Sequence, residues 1–235
     1  LDTVYLNADE KYITEYTDVI YATNTADHET VIQGHLYSWL VILMHYYGWG
    51  HYLAKYMRKH NILETDLYYK LFEWIKHNPG LLHDEYLETK KSFEDVYANR
   101  ALWGRQAFGE DDMLWEYKGA SSARISKAVY RLETDLYNFL LCTKLIPEWK
   151  ARDIVALNLR MCREKDITYP ITVTVLKEVA RDMLGIDTSC VNIDHFDKTK
   201  SDDNWYRKAY HYQRKIGYWK CTASKTKKPL DIYHK

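Results

Sequence analysis

"GHLYSWLVILMHYYGWGHYLAKYMRKH", residues 34–60, gathers aromatics, three glycines and four histidines into one run with few charges. It reads in three ways: as a membrane span, as a histidine-lined ligand site, or as a buried helical hairpin. A span needs about 20 predominantly apolar residues. Here the strictly apolar run extends only from Trp39 to Met44, bounded by Ser38 and His45, so no membrane contact is expected. The hairpin fits better. Asp27 or Thr25 can cap a helix running through His28 and Glu29 towards Tyr47. Leu36, Leu40, Leu43 and Tyr47 recur on it at helical spacing, with Trp39 and Met44 widening the stripe. Gly48-Trp49-Gly50 interrupts the pattern, because two glycines permit a tight reversal. A second helix follows, with Tyr52, Leu53, Tyr56 and Met57 on one side and Lys55, Arg58 and Lys59 elsewhere. His28, His35, His45, His51 and His60 form no i,i+3 or i,i+4 pair, so no helix face presents two imidazoles and no metal site is read from them. Most of these aromatics are expected in the core. Trp49 is expected to lean outward from the bend beside His45 and His51, and these three are the candidates for facing a core or a substrate.

The rest of the chain repeats the helical grammar. "ILETDLYYKLFEWIKHNPG" predicts a helix capped at Thr65, carrying Leu67, Leu71, Phe72 and Ile75, and stopped by Pro79-Gly80. "HDEYLETKKSFEDVYANRALW" is charged, with Tyr86, Phe93 and Tyr97 on a narrower face. "SSARISKAVYRLETDLYNFLLCTKLIP" gives the clearest stripe, Ile125, Val129, Leu132, Leu136, Phe139 and Leu140, ending at Pro147. Another helix is expected from Glu148 towards Arg163. In "YPITVTVLKEVARDMLG" a β-branched start competes with Leu176, Val179, Ala180 and Met183 before Gly185, and helix is favoured. "LETDLY" occurs at 63–68 and again at 132–137, but the flanks diverge, as a true repeat's would not. The fold class expected is mainly α: an irregular body of roughly six to eight helices, with short strands confined to the C-terminal region.

Composition supports this. Among 235 residues there are only nine Gly and four Pro, against 22 Tyr and 8 Trp. That excludes collagen-like and disordered classes and suits a well-packed helical body. Lys plus Arg equals Asp plus Glu at 33 each, so overall charge points to no partner. Cys142, Cys162, Cys190 and Cys221 lie 20, 28 and 31 residues apart, too far for a compact zinc or iron–sulfur motif, and are expected as free, mostly buried thiols. The first residue is Leu, with no secretory leader pattern after it; a piece of a longer, cytoplasmic protein is expected.

The tail changes character. Residues 198–235 hold eleven Lys or Arg against three Asp. Interleaved with Trp205, Tyr206, Tyr210, Tyr212, Tyr218 and Trp219, they form the mixture that attracts phosphate and stacks bases. The plainer reading is an amphipathic helix from Asp203 to Ile216, then a short strand, with the rings turned inward and the cations solvated. Two regions are drawn on this basis: a helical body over 1–190, and a basic, aromatic-rich helix and tail over 191–235 packed on the same domain. Were nucleic acid the partner, Arg207, Lys208, Arg214 and Lys215 would make the contacts.

Conventional active-site motifs do not occur. There is no G-x-S-x-G, no P-loop and no H-E-x-x-H. Glu85/Glu88 and Glu10/Glu15 read as solvated helix-face pairs, and Glu73/His77 as a surface i,i+4 pair. The two E-x-x-H motifs of a di-iron bundle are missing.

One resemblance arises from residues 12–75, "YITEYTDVIYATNTADHETVIQGHLYSWLVILMHYYGWGHYLAKYMRKHNILETDLYYKLFEWI". Thr23-Asn24-Thr25 makes a polar step, Asp27 and Glu29 open a helix, Trp39 marks an aromatic-rich helix and Gly48 a small-residue break; Leu53 to Tyr56 and Leu67 to Leu71 follow. This succession resembles the region after the catalytic barrel in radical S-adenosylmethionine enzymes with cobalamin-binding domains. "NWYRKAYHYQRKIGYWK", residues 204–220, is similar to that family's closing stretch. The resemblance implies an accessory C-terminal helical domain, partnered with an upstream catalytic core of the same polypeptide. It also implies a 4Fe–4S cluster, S-adenosylmethionine and cobalamin in that core. The family's C-x-x-x-C-x-x-C and D-x-H-x-x-G are both lacking here, Asp27 and His28 being adjacent, so no cofactor residue carries over. The alternative is a stand-alone helical binding protein whose basic aromatic tail meets nucleic acid or another acidic partner.

Overall fold

A computed structural model describes residues 2–5, 16–98, 117–162, 170–196, 218–223 and 230–232, with backbone alone at 2–5, 16–19, 194–196, 218–223 and 230–232. Its body is helical. The opening stretch forms α1 (His28–Val41), a π-turn (Ile42–Tyr46) and α2 (His51–Lys59). Asp27 caps α1, its Oδ1 accepting the Thr30 N–H at 2.8 Å, and the Thr30 bonds hold its carboxylate below the usual range. Next come α3 (Glu64–His77), α4 (Leu81–Tyr97), α5 (Tyr117–Lys127), α6 (Val129–Thr143), α7 (Glu148–Arg160) and α8 (Lys177–Leu184).

Apolar stripes from these helices meet in one core. Leu36, Leu40 and Leu43 meet Leu67, Leu71 and Ile75 of α3, Leu82 and Val96 of α4, and Leu132, Leu136 and Phe139 of α6. Among the eight described α-helices, α5 has the least ordinary composition. Its "GASSA" segment, Gly119 to Ala123, is buried throughout, and side chains this small let α1, α4 and α6 approach closely.

Strands lie at both ends of the chain. β1 (Asp2–Tyr5) pairs antiparallel with β2 (Tyr16–Val19), so strand is not confined to the C-terminal region. The β-branched residues of "DTVY" and "YTDV" suit that hairpin. The second sheet is an antiparallel meander of β3 (Ile171–Thr174), β4 (Cys190–Phe196), β5 (Tyr218–Ala223) and β6 (Leu230–Ile232). Ile171 stands opposite Ile193, and Val173 opposite Val191. The 170–185 segment is therefore divided between strand and helix: β-branched "ITVT" pairs, and only "KEVARDML" winds. This sheet joins residues on both sides of position 190.

Three local expectations are corrected. α3 begins after Leu63, not at a Thr65 cap. The stripe from Ser121 to Leu140 is two helices, because Ala128, at φ −136° and ψ 40°, leaves helical geometry. Among thiols with described side chains only Cys162 is buried; Cys142 is exposed on α6 and Cys190 half-buried. The two "LETDLY" copies also differ in role: the first opens α3, while the second lies inside α6.

That second copy supplies Asp135, which caps a different helix. α4 starts after Pro79-Gly80 with no capping side chain of its own, and Asp135 Oδ2 reaches across from α6 to accept the Leu82 N–H at 2.8 Å. Gly80 makes the approach possible, since a Cβ there would collide with the Asp135 carboxylate. Asp153 of α7 does the same for α8, accepting the Leu176 N–H at 2.7 Å. Burial raises the pKa of Asp135, against the pull of Leu82 N–H and the Arg131 charge, with Asp84 adding to the rise. A raised carboxyl pKa means the folded state holds the proton more tightly than the unfolded chain. Its contribution is therefore fully present below the ordinary aspartate value, about 3.9, and is lost as pH rises through the folded pKa. Asp135→Asn keeps an acceptor for Leu82 without the burial cost, so its stability relative to wild type should rise between pH 4 and pH 7. Asp135→Ala should lose about 0.5–2 kcal/mol with the cap. Urea titrations across that range check both, and an Asn variant that fares worse at pH 7 than at pH 4 contradicts the assignment.

Candidate functional site

The bend at 42–51 is where the sequence candidates meet. The Tyr47 N–H donates to the Ile42 carbonyl at 3.0 Å, which closes the wide π-turn and puts one extra residue into the helical phase. Leu43 and Met44 stay buried while His45 and Tyr46 turn towards the surface. Gly48 then takes φ +84°, the left-handed region that glycine enters without a Cβ clash, and reverses the chain into α2. His45 and His51 consequently face each other, ring centroids 5.3 Å apart. Helical spacing rules cannot find that pair, because a π-turn and a left-handed glycine lie between its members.

Side chains from α2 and α3 complete the group. His45 Nδ1 is 3.2 Å from the Tyr68 hydroxyl and 3.9 Å from Glu64 Oε2, and Glu64 is also ion-paired with Arg58. Burial drives the Tyr68 phenol well above its ordinary pKa, with the Arg58 charge opposing, so it remains a neutral hydroxyl that orients the imidazole. His45 is partly exposed. The arrangement offers an accessible imidazole, a second ring beside it, and a carboxylate in reach: groups that can exchange protons or hydrogen bonds with a partner laid against them. Among the described residues no group of three or more His, Cys, Asp or Glu is placed to hold a metal ion.

Trp49 belongs to the core, contrary to its outward expectation. It is 0% exposed, and its Nε1 donates to Ser122 Oγ of α5 at 2.9 Å. Trp39 makes the parallel bond to Ser121 Oγ at 3.0 Å. From α7, Asn158 Nδ2 donates to the Trp49 carbonyl at 2.7 Å, and Asn158 Oδ1 accepts the Leu53 N–H at 2.9 Å. Cys162 Sγ lies 3.1 Å from the Gly48 carbonyl. Two helices distant in sequence thus grip the bend and hold His45 and His51 in place.

Sequence reasoning missed Tyr68, Glu64, Asn158 and the paired serines. A signal existed for Asn158, an amide between Val155 and Leu159 on a buried helix face, where a polar group needs partners. Glu85 was read as solvated, yet it is 1% exposed and paired with Arg124 at 3.0 Å. Arg207, Lys208, Arg214 and Lys215, with the helix expected over Asp203 to Ile216, lie outside the described residues. No helix among the described residues is long and apolar enough to cross a membrane. The chain matches no protein-family model and no curated protein.

Proposed function

We propose that this chain is an accessory C-terminal helical domain of a cobalamin-type radical S-adenosylmethionine enzyme, working in the cytoplasm on a catalytic core upstream in the same polypeptide. The observation that carries this reading is the bend. The resemblance calls for an acidic helix opening, an aromatic-rich helix, a small-residue break and a second helix. Asp27, α1, Gly48 at positive φ and α2 follow in that order. In this reading the 4Fe–4S cluster, S-adenosylmethionine and cobalamin are held by the core, and this chain binds none of them. His45 and His51 are the groups it turns towards the core or its substrate.

The coding frame upstream of Leu1 tests the reading first. It should continue and encode a C-x-x-x-C-x-x-C triplet; a start codon directly before Leu1 overturns the proposal. In the full-length enzyme, His45→Ala and His51→Ala should each lower turnover several-fold with the chain still folded; His45→Ala should also cost about 1–3 kcal/mol of stability, because it takes a partner from the buried Tyr68 hydroxyl. Unchanged turnover in both removes the role given to this pair.

The composition of the tail favours one second reading, a stand-alone protein that binds nucleic acid through Arg207, Lys208, Arg214 and Lys215. Titration with single-stranded RNA and DNA at two salt concentrations separates the two. No binding is expected at low salt, whereas micromolar, steeply salt-dependent binding would put the second reading first.

A further inference from the structure

We draw no further inference here: the strongest candidate, the surface patch where exposed Tyr69 of α3 packs edge-on to half-buried Tyr37 of α1 at 6.4 Å, is an apolar face and nothing in the structure shows what covers it.

Discussion

Trp49→Ala should cost about 3–5 kcal/mol of folding stability, the range for truncating a fully buried large aromatic. Whole domains are stable by only about 5–15 kcal/mol, so the variant should unfold at much lower denaturant or fail to accumulate. Two losses combine. The indole leaves a cavity among buried neighbours that relax only in part, and the Ser122 hydroxyl loses its donor. Trp49→Phe separates them: most of the volume stays while the 2.9 Å bond goes, and a loss of about 1–3 kcal/mol is expected. Trp39→Ala should resemble Trp49→Ala, because Trp39 is buried and bonded to the neighbouring serine. Guanidinium unfolding monitored by far-UV circular dichroism decides. A Trp49→Ala protein within about 1 kcal/mol of wild type would mean that the ring does not occupy the core.

The sequence could tell that Trp39 is buried and could not tell it of Trp49, and the difference is physical. Trp39 lies on a stripe with Leu36, Leu40 and Leu43, so helical period alone sends it inward. Trp49 sits between two glycines, where no period applies, and its burial depends on Ser122 and Asn158, more than 70 residues away. The same division runs through the chain. Helix existence and core faces were legible wherever Leu, Ile and aromatic residues recur at helical spacing, as in α2, α4 and α6. Some start points were legible, Asp27 before α1 and Glu148 at α7, but those of α4 and α8 were not, because Asp135 and Asp153 cap them from other helices and leave no local signature. Glu85 was misread for a related reason: its partner, Arg124, is on α5. The histidine pair is the extreme case, since His45 and His51 are named in the sequence as candidates but related only by the turn geometry between them.

That geometry makes the bend one cooperative unit, and Asn158 is the residue through which to show it. Asn158→Ala removes a donor to the Trp49 carbonyl and an acceptor for the Leu53 N–H, both buried. Leaving a buried backbone group unsatisfied costs about 1–3 kcal/mol, so two should cost roughly 2–4 kcal/mol with some relaxation. Asn158→Asp is the sharper control. It keeps an acceptor for Leu53, but places a carboxylate oxygen against the Trp49 carbonyl and buries a charge, so it should be at least as damaging at neutral pH. Trp49→Ala leaves the Trp49 carbonyl chemically intact, so additive losses would mean that α5 and α7 hold the bend independently. The structure argues otherwise. Once the indole is gone, nothing from Ser122 keeps the segment seated, and the bonds from Asn158 and the Cys162 contact to Gly48 have a looser target. The double variant should therefore cost less than the sum of the singles, by about 0.5–3 kcal/mol, the range for residues in one network. His45→Ala combined with Asn158→Ala supplies the contrast: the imidazole bonds Tyr68 of α3, while Asn158 bonds the Trp49 carbonyl and the Leu53 N–H, so that pair should add within about 0.5 kcal/mol. Coupling in the first cycle without coupling in the second would identify the grip of α5 and α7 as the stabilising element, and the histidines as the groups it presents.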